Sequence, residues 1–418
     1  MSIEQKINSK LQQYPIIKRI IKRAYQVGMY AISPKIKSEG VLTRISPDDG
    51  YEYFFGYYDK SPWDAIDRFM ICLRVKQTYK SVAPPEEGKI ILIDTHDNKI
   101  IEIATTHSWN VQQGCMAQWL GPDFQSRIIY NDFRDGKYCS VIYNLKSESE
   151  EKVLPLPVYD VSRDGTFALS LDFSRLHRMR PGYGYANVPE KTRNVKCPDE
   201  TCIWKQNLVT GEVTKLFKYT DFFNFEHRDE MDEAEHKVNH LMINPSGTRF
   251  MVLHRWYLGS KKYTRLVTAN TDGTQMFNLS DDDFVSHCFW KSNNEIISFM
   301  NRNGIGRHYY LMKDKEHTYT LLWPDIDFDG HPSYSPNGKQ IVIDSYPDKR
   351  RLQSVYICTE KEAKRIARVH APFRYDNDVR CDLHPRWSRK GDKVCIDSTF
   401  EGKRGLYVMN VLESIDSE

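Results

Sequence analysis

Four histidines recur at the same place in four successive stretches of similar sequence in the C-terminal half of the chain. They are His240, His287, His331 and His384, separated by 47, 44 and 53 residues. A turn residue comes seven positions after each histidine, and a short apolar segment such as residues 340–343 follows the turn. Imidazole can act as a general base near neutral pH and is the commonest metal ligand among protein side chains. Four imidazoles in register therefore predict a functional cluster more readily than four separate packing residues.

The elements around these histidines indicate how the chain would bring them together. A repeat of about 40–50 residues with short strands and turns is typical of a β-propeller, with one repeat to a blade. Three further units of this kind precede the histidine-bearing ones from Tyr51 onward, so the sequence predicts an all-β fold, a seven-bladed β-propeller. Rotation about one axis relates equivalent positions of the blades, and the four histidines are expected to converge on the central funnel. We assign residues 41–418 to the propeller.

The N-terminal extension, residues 1–40, is predicted to form a basic amphipathic helix. Between residues 1 and 30, apolar side chains recur at helical spacing, with lysines and arginines on the other face. Pro15 should kink or restart this helix. A helix of this kind can lie on an anionic membrane surface, which predicts peripheral membrane contact through residues 1–30. Packing on the propeller or on a partner is the alternative.

Composition and charge narrow the classes of partner and compartment. A formal net charge of +3 over 418 residues gives no electrostatic argument for binding nucleic acid. The nine cysteines are scattered, and several lie in strand-like segments, which is typical of reduced thiols in a cytoplasmic protein. Basic residues interrupt the first apolar segment, and no segment reaches the ~20 apolar residues of a membrane span. We therefore expect a cytoplasmic protein, or one held peripherally at the inner membrane face, whose oligomeric state the sequence leaves open.

Other candidate contacts for a substrate come from the first three units. Tyr58, Lys60 and Gln118 lie near the starts of predicted inner strands, where they would face the funnel and contact a sugar. An insertion at about residues 173–200 is rich in arginine and tyrosine. Arg180 within it is a candidate for binding a carboxylate, because the guanidinium group matches the geometry of that anion.

Two sequence features resemble known propellers. The segment that begins at His331 and reads His-Pro-Ser-Tyr-Ser-Pro-Asn-Gly is close to the first-strand signature of TolB-like, WD40-like propellers. The histidine-bearing units resemble the oligogalacturonate lyases, which are seven-bladed propellers. The resemblance covers about residues 45–412 and is strongest in the last four units. It implies a metal-dependent polysaccharide lyase that acts by β-elimination on an acidic, uronate-containing oligosaccharide or polysaccharide, with a divalent metal that is typically manganese.

The same resemblance implies catalytic roles for individual residues. His287 matches the base of the lyases, and Arg255, within His-Arg-Trp at residues 254–256, is the candidate for the arginine that assists it. His240 joins this catalytic set as the fourth histidine in register. β-Elimination from a uronate requires that the carboxylate be neutralised, that a base remove the proton next to it, and that the leaving oxygen be stabilised. Arg255, Arg180 or Lys60 could orient the carboxylate or stabilise the developing negative charge.

The metal ligands implied by the resemblance depart from the family pattern in the last unit. His331 and His384 match metal-binding histidines. The lyases read Gln-x-x-His-x-His in the last blade, whereas Val379 stands here in place of the glutamine and Asp382 in place of the first histidine. Because sites with two histidines and a carboxylate bind manganese, iron or zinc, Asp382 is expected to serve as the third ligand.

Two other functions are compatible with the same scaffold. The basic N-terminal helix is consistent with a transferase or hydrolase that modifies a polysaccharide during its synthesis at the inner face of a membrane. A non-catalytic propeller that binds a glycan or a protein is the third interpretation, since a fold does not by itself determine a function. A lyase or other enzyme should depend on the histidines, whereas a binding platform should depend on its rim loops.

Overall fold

Seven antiparallel sheets form the propeller in a computed structural model that describes residues 15–32, 37–80 and 86–411. Apart from two short N-terminal strands that join the last two sheets, the strands of each sheet follow one another in simple up-and-down order, and the sheets succeed one another along the chain. The prediction of an all-β, seven-bladed propeller is confirmed, and the seven sheets coincide with the seven units recognised in the sequence.

Two short strands, β1 (Ser38–Glu39) and β2 (Thr43–Arg44), precede the first complete blade. The strands of blades 1 and 2 are β3 (Glu52–Phe54), β4 (Phe69–Val75), β5 (Gly88–Asp94), β6 (Ile100–Thr106), β7 (Gln118–Trp119), β8 (Arg127–Arg134), β9 (Lys137–Asn144) and β10 (Ser149–Leu154). Those of blades 3 and 4 are β11 (Asp160–Val161), β12 (Phe167–Leu171), β13 (Thr201–Asn207), β14 (Val213–Lys218), β15 (Glu235–Ile243), β16 (Arg249–Leu258), β17 (Lys261–Asn270) and β18 (Phe277–Ser280).

The last three blades carry three of the four histidines of the cluster. Their strands are β19 (Val285–Trp290), β20 (Glu295–Arg302), β21 (Gly306–Lys313), β22 (Tyr319–Leu322), β23 (Ser333–Tyr334), β24 (Ile341–Asp344), β25 (Leu352–Cys358), β26 (Ala363–His370), β27 (Arg386–Trp387), β28 (Lys393–Ser398) and β29 (Gly405–Asn410). Blade 7 has only three strands from this part of the chain.

The N-terminal segment completes the last blade and so closes the ring. β2 pairs antiparallel with β29, Thr43 opposite Val408, and becomes the outermost strand of blade 7. β1 pairs with β26 and adds a fifth strand to blade 6. β1 therefore lies within the predicted extension, residues 1–40, yet forms part of a blade. The domain boundary itself stays a prediction.

The burial of the strands explains why the middle of each blade is so apolar. Both faces of a blade pack against neighbouring blades, so inner and middle strands have near-continuous apolar segments, as at residues 90–93, which are all buried. Full burial of each such side chain stabilises the fold by about 1.5–3 kcal/mol. The outermost strand β6 is mostly exposed or half-buried and correspondingly mixed in polarity.

A buried ionic network lies where blade 7 meets blade 1. Asp397 accepts hydrogen bonds from Arg386 Nη2 at 2.7 Å and from Arg404 Nη2 at 3.0 Å. The backbone N–H of Phe55, in blade 1, also donates to this carboxylate at 3.2 Å, and Arg386 donates to the carbonyl oxygen of Gly56 at 3.0 Å. Blades 7 and 1 are thus held together by this buried network of charged hydrogen bonds, in addition to the strand pairing between β2 and β29.

Three α-helices are described outside the sheets: α1 (Pro15–Ile32), α2 (Phe173–Met179) and α3 (Tyr219–Asn224); there are also 3₁₀ turns at Asp229–Met231 and Asn377–Val379. Pro15 is the first described residue of α1, a position that proline tolerates because a helix start needs no N–H donor. Tyr30 stacks on His370 of blade 6, with ring centroids 5.1 Å apart. Residues 1–14 of the predicted amphipathic helix lie outside the described residues, and its membrane contact stays a prediction. Among the helices that are described, none is both long and apolar enough to cross a bilayer.

Candidate functional site

The four histidines in register form one contiguous row of rings at the centre of the propeller. The ring centroids of His240 and His287 are 5.8 Å apart, those of His287 and His331 are 4.0 Å apart, and those of His331 and His384 are 4.3 Å apart. Each of the four side chains is at most 4% exposed. The structure therefore brings together residues that the sequence separates by 144 positions, counted from 240 to 384.

Irregular backbone at the histidines directs their side chains out of the sheets. His240 and His384 have φ angles of +61° and +44°, in the left-handed region that side chains larger than glycine rarely adopt. The strand ladders are interrupted around His240 in β15 and around His287 in β19. Such interruptions re-aim a side chain, and strained backbone tends to persist where function requires it.

His287 is held by a carboxylate that defines its tautomer. Its Nδ1 atom lies 2.9 Å from Oδ1 of Asp329, whose other oxygen accepts a hydrogen bond of 2.6 Å from Ser286. Because an ionised carboxylate only accepts, Nδ1 of His287 must carry the proton. The unprotonated Nε2 atom lies 3.3 Å from the hydroxyl of Tyr346. His287 thus turns a basic Nε2 toward the other histidines, where it accepts a long hydrogen bond from the Tyr346 hydroxyl that a substrate could displace; a general base requires such an unprotonated nitrogen.

His331 has a similar carboxylate partner, Asp344 at the end of β24. Nδ1 of His331 lies 2.8 Å from Oδ1 of Asp344, and the backbone N–H groups of both His331 and His384 donate to the same carboxylate at 2.7 and 3.1 Å. Glycine is required at position 330, because a Cβ atom there would lie 1.7 Å from the carbonyl oxygen of Asp344. One aspartate therefore positions two of the four histidines and leaves Nε2 of His331 available.

His331, Asp382 and His384 form a group whose ligand atoms all lie within 4.8 Å of one another. Nε2 of His331 and both ring nitrogens of His384 are buried, and within the described residues they have no hydrogen-bond partner. Asp382 is fully buried and paired with Arg380, whose Nη2 lies 2.9 Å from its Oδ2. Buried polar atoms without partners are uncommon in native proteins, so the donor set fits a divalent metal. The place of Asp382 beside the two histidines agrees with the ligand set expected from the sequence.

Burial and charge together set the protonation of the cluster. Burial lowers the pKa of His384 well below its ordinary value. Burial and the neighbouring His331 lower the pKa of His287 to about 4. Burial also acts to lower the pKa of His331, but the charge and hydrogen bond of Asp344, together with the charges of Asp382 and Asp329, outweigh burial and raise the pKa of that ring. At neutral pH most of the cluster is therefore made of neutral imidazoles.

Two tyrosines of blade 1 pack against the histidine row. The Tyr57 hydroxyl hydrogen-bonds a ring nitrogen of His240, and the Tyr57 ring lies 5.1 Å from that of His384. The Tyr58 ring lies 5.1 Å from that of His331. The Tyr58 hydroxyl donates to the carbonyl oxygen of Cys288 at 2.7 Å and is buried. Tyr58 thus lies at the site, as expected, with its hydroxyl engaged by the blade 5 backbone.

The other predicted substrate contacts lie in different settings. Lys60 pairs with Asp59 at 2.7 Å and with Asp160 at 3.5 Å, and the Gln118 side chain donates to the carbonyl oxygen of Met116 at 3.2 Å. Both side chains are thus engaged by other groups of the protein. The role of Lys60 and Gln118 as sugar contacts stays a prediction.

The two predicted arginines lie nearer the histidine row. Arg180 follows α2, and its guanidinium group lies 3.8 Å from the centre of the Tyr183 ring, which in turn lies 6.4 Å from that of Tyr57. Arg255 is buried on β16. Burial lowers the pKa of His240 well below its ordinary value, and the charges of His287 and Arg255 add to this shift, so Arg255 lies close to the row.

Sequence reasoning missed the carboxylates that orient the histidines. Neither Asp329 nor Asp344 belongs to the histidine repeat, and Asp344, as the last residue of β24, has the position of an ordinary strand-end residue. A usable signal for Asp329 was its place two residues before His331, in the loop that leads into blade 6. The partnership of Asp329 with His287, 42 residues away, has no equivalent signal in the spacing.

Two further histidines of blade 4 belong to a structural hydrogen-bond chain. Arg265 Nε donates to Nδ1 of His254 at 3.1 Å, so the proton of His254 is on Nε2 and is donated to Nδ1 of His236 at 2.9 Å. Nε2 of His236 in turn donates to the carbonyl oxygen of Met231 at 3.0 Å. The rings of His236 and His254 must both be neutral for this chain of hydrogen bonds to form.

The neutral pair predicts that the fold loses stability in mild acid. Burial lowers the pKa of His236 from 6.5 to about 4, which corresponds to roughly 3 kcal/mol. A histidine with a lowered pKa takes up its proton more readily in the unfolded chain, so stability is lost as the pH falls from about 6.5 toward 4. We expect urea unfolding to show this loss between pH 7 and pH 5, and the pH dependence to be weaker in His236→Asn. Equal pH dependence of the two proteins would contradict the neutral pair.

The fold and the site together define a seven-bladed propeller with a buried cluster of histidines and carboxylates in its funnel. Solved structures with a similar fold include an oligogalacturonate lyase from Vibrio parahaemolyticus, with a TM-score of 0.61, 13% sequence identity, and coverage of 90% of this chain and 97% of that one. An oligogalacturonate lyase in complex with manganese gives a TM-score of 0.64, 16% identity and coverage of 90% and 94%. No protein-family model and no curated protein sequence matches the chain. The predicted resemblance to the oligogalacturonate lyase propeller is confirmed at the level of the fold.

Proposed function

We propose that this protein is a metal-dependent enzyme that cleaves an acidic, uronate-containing oligosaccharide or polysaccharide by β-elimination. The observation that carries the proposal is the adjacency of two arrangements in the funnel. One is the His331–Asp382–His384 group, in which Nε2 of His331 and both ring nitrogens of His384 are buried and find no hydrogen-bond partner among the described residues. The other is His287, which Asp329 orients with Nε2 unprotonated and in contact only with the Tyr346 hydroxyl among the described residues. The first suits a divalent cation and the second suits proton abstraction.

The residues of the chain supply the remaining chemistry. His287 Nε2 accepts the proton next to the uronate carboxylate, and Asp329 stabilises the imidazolium that forms. The electron pair of that C–H bond becomes the new carbon–carbon double bond, the glycosidic C–O bond breaks, and the leaving oxygen takes up a proton. Arg180 binds the carboxylate, and Arg255 contributes positive charge that stabilises the negative charge developing beside it. A divalent cation held by His331, Asp382 and His384, such as manganese, supplies charge neutralisation as a Lewis acid.

The state of the carboxylates favours elimination over hydrolysis on the same scaffold. Glycoside hydrolysis uses two carboxyl groups as acid and base or nucleophile. Here Asp329 and Asp344 each hold a histidine, and Asp382 pairs with Arg380. Because each of these aspartates already has a cationic or hydrogen-bonding partner, none has the free carboxyl group that a hydrolase requires.

Metal content provides the direct test of the site. The purified protein is expected to retain about one divalent ion per chain after manganese loading, measured by inductively coupled plasma mass spectrometry. The double variant His331→Ala/His384→Ala should lose the ion, because two of the three ligands are gone. A matched control, His96→Ala/His317→Ala, removes two exposed histidines and should retain the metal.

Circular dichroism must show that the double variant remains folded. If wild type also holds no metal after reloading, the metal-dependent proposal is contradicted and a binding propeller becomes the better interpretation. Stoichiometric metal would be followed by a screen of uronate-containing polysaccharides for the ultraviolet absorbance of an unsaturated uronate. Activity without such a product would favour a transferase or hydrolase.

A further inference from the structure

Blade 4 carries two buried cations that face each other without a counter-charge. Lys237 on β15 lies directly opposite Arg255 on β16 in the antiparallel ladder. Their exposed fractions are only 1% and 3%. Residues directly opposite on such a pair have Cβ atoms about 4.5–5.5 Å apart, and like charges there destabilise the sheet. Among the described residues no carboxylate pairs with either side chain, and the Tyr257 ring, whose centre lies 5.5 Å from Lys237 Nζ, offsets only part of this electrostatic cost.

Hydrogen-bonding groups on this face also lack partners. Within the part of the chain that the structure describes, Lys237 Nζ and Arg255 Nε and Nη1 are buried and bond to nothing. Asn239 lies two residues beyond Lys237, and Thr264 lies opposite Arg255, so both share the face. The two amide atoms of Asn239 and the Thr264 hydroxyl are buried without partners as well. We call Lys237, Asn239, Arg255 and Thr264 the blade 4 basic face.

Further positive charge surrounds this face. Lys262 lies two residues before Thr264 on β17 and is exposed. The charge of Arg255 is the main reason that the pKa of Lys262 falls to about 7, which indicates that the two side chains are close. Burial, followed by the charges of Arg255 and Arg180, lowers the pKa of Lys237 well below its ordinary value. Cations therefore outnumber anions around the face.

A carboxylate that acts on Lys262 does not remove this excess of positive charge. Asp329 acts on Lys262, but its two oxygens are engaged by His287 and Ser286. Buried polar groups are nearly always hydrogen-bonded, and buried charges are paired. A set of unpaired donors and cations beside a central funnel is therefore best explained by an anionic ligand that completes it.

We propose that the blade 4 basic face binds a sulfate or phosphate ester group of the saccharide substrate. A carboxylate would bring one charge and two oxygens in a plane. A tetrahedral oxyanion offers at least three acceptor oxygens in different directions, which suits a lysine, an arginine edge, an amide and a hydroxyl that surround it. That the anion is carried on an acidic saccharide rests on the proposed function, whereas binding of the oxyanion itself does not.

Inorganic sulfate and inorganic phosphate are the probes, with sodium acetate and sodium chloride at the same ionic strength as references. Thermal unfolding and isothermal titration calorimetry are measured on wild type and Lys237→Met. A control variant, Lys339→Met, removes an exposed lysine of the blade 6 turn. For wild type and the control we expect sulfate or phosphate, but neither acetate nor chloride, to raise the unfolding temperature.

Lys237→Met is expected to show two changes of opposite sign. Without added oxyanion it should unfold at a higher temperature than wild type, because one of two opposed charges is gone. With oxyanion it should gain little, and its dissociation constant should be at least tenfold weaker. Thr264→Val, which removes only a hydroxyl, should weaken binding several-fold and provides the same test if Lys237→Met fails to fold.

Comparing sulfate with phosphate identifies which kind of ester the saccharide substrate carries. A preference for sulfate indicates a sulfated saccharide, and a preference for phosphate indicates a phosphorylated one. Equal stabilisation by acetate, or unchanged oxyanion binding in both variants, would overturn the proposal. A protein that holds metal and cleaves a plain oligouronide but ignores both oxyanions would overturn this inference alone. A protein that binds an oxyanion but no metal would overturn only the proposed lyase activity.

Discussion

Replacing Asp397 by alanine is expected to lower the free energy of unfolding by about 3–5 kcal/mol. The carboxylate is fully buried between Arg386 and Arg404, and both guanidinium groups are buried too. Removing it leaves two uncompensated buried cations at the junction between the last blade and the first. Urea unfolding followed by tryptophan fluorescence measures the effect.

The control for this variant is Asp97→Ala in an exposed turn of blade 1. Asp97 pairs with Lys99 on the surface, and such pairs contribute at most about 1 kcal/mol. We expect the control to unfold almost as wild type does. A loss below about 1 kcal/mol for Asp397→Ala would mean that strand pairing between β2 and β29 closes the ring without help from the buried charges.

Replacing His287 by alanine is expected to lower kcat/KM for β-elimination by about 10²–10⁴-fold, the usual contribution of a general base. Metal content should stay at the wild-type level, because the three candidate ligands remain in place. Asp329→Asn should also lower the rate strongly. The amide N–H of asparagine can donate a hydrogen bond to Nδ1 of His287, and the ring would then carry its own proton on Nε2, where the lone pair is needed.

The matched control is His96→Ala, an exposed histidine of blade 1 whose loss should leave the rate unchanged. Rates are measured on the polysaccharide that the screen identifies, with circular dichroism to establish folding. If His287→Ala keeps more than about a tenth of the wild-type activity, His287 contributes less to the rate than a general base normally does, and its assignment as the base is contradicted. His240 then becomes the next candidate for the base.

The fold and the position of the histidines follow from periodic features that are local in the sequence. Each blade has its own turn, apolar strand and inner-strand start, so a repeated pattern predicts a repeated structure. Equivalent positions in a closed ring must converge. For this reason His240, His287, His331 and His384 could be grouped from their spacing alone, and their rings do form one row.

The partners of these residues could not be predicted in the same way. Lys60 has a position that suggests the funnel, yet the tertiary structure pairs it with Asp59 and Asp160. A charged side chain pairs with whichever opposite charge the fold brings within a few ångströms. Such pairs do not recur from blade to blade, so the repeated sequence pattern does not predict them.

The sequence by itself therefore determined the seven-bladed architecture and the convergence of four histidines, because both depend on a pattern that is repeated along the chain. Only the tertiary structure decided that Asp329 orients His287, that Asp344 positions His331 and His384, and that Lys237 and Arg255 face each other unpaired. These contacts join residues of different loops, strands and blades. Their geometry depends on how sheets pack and where ladders are interrupted, which no local pattern records.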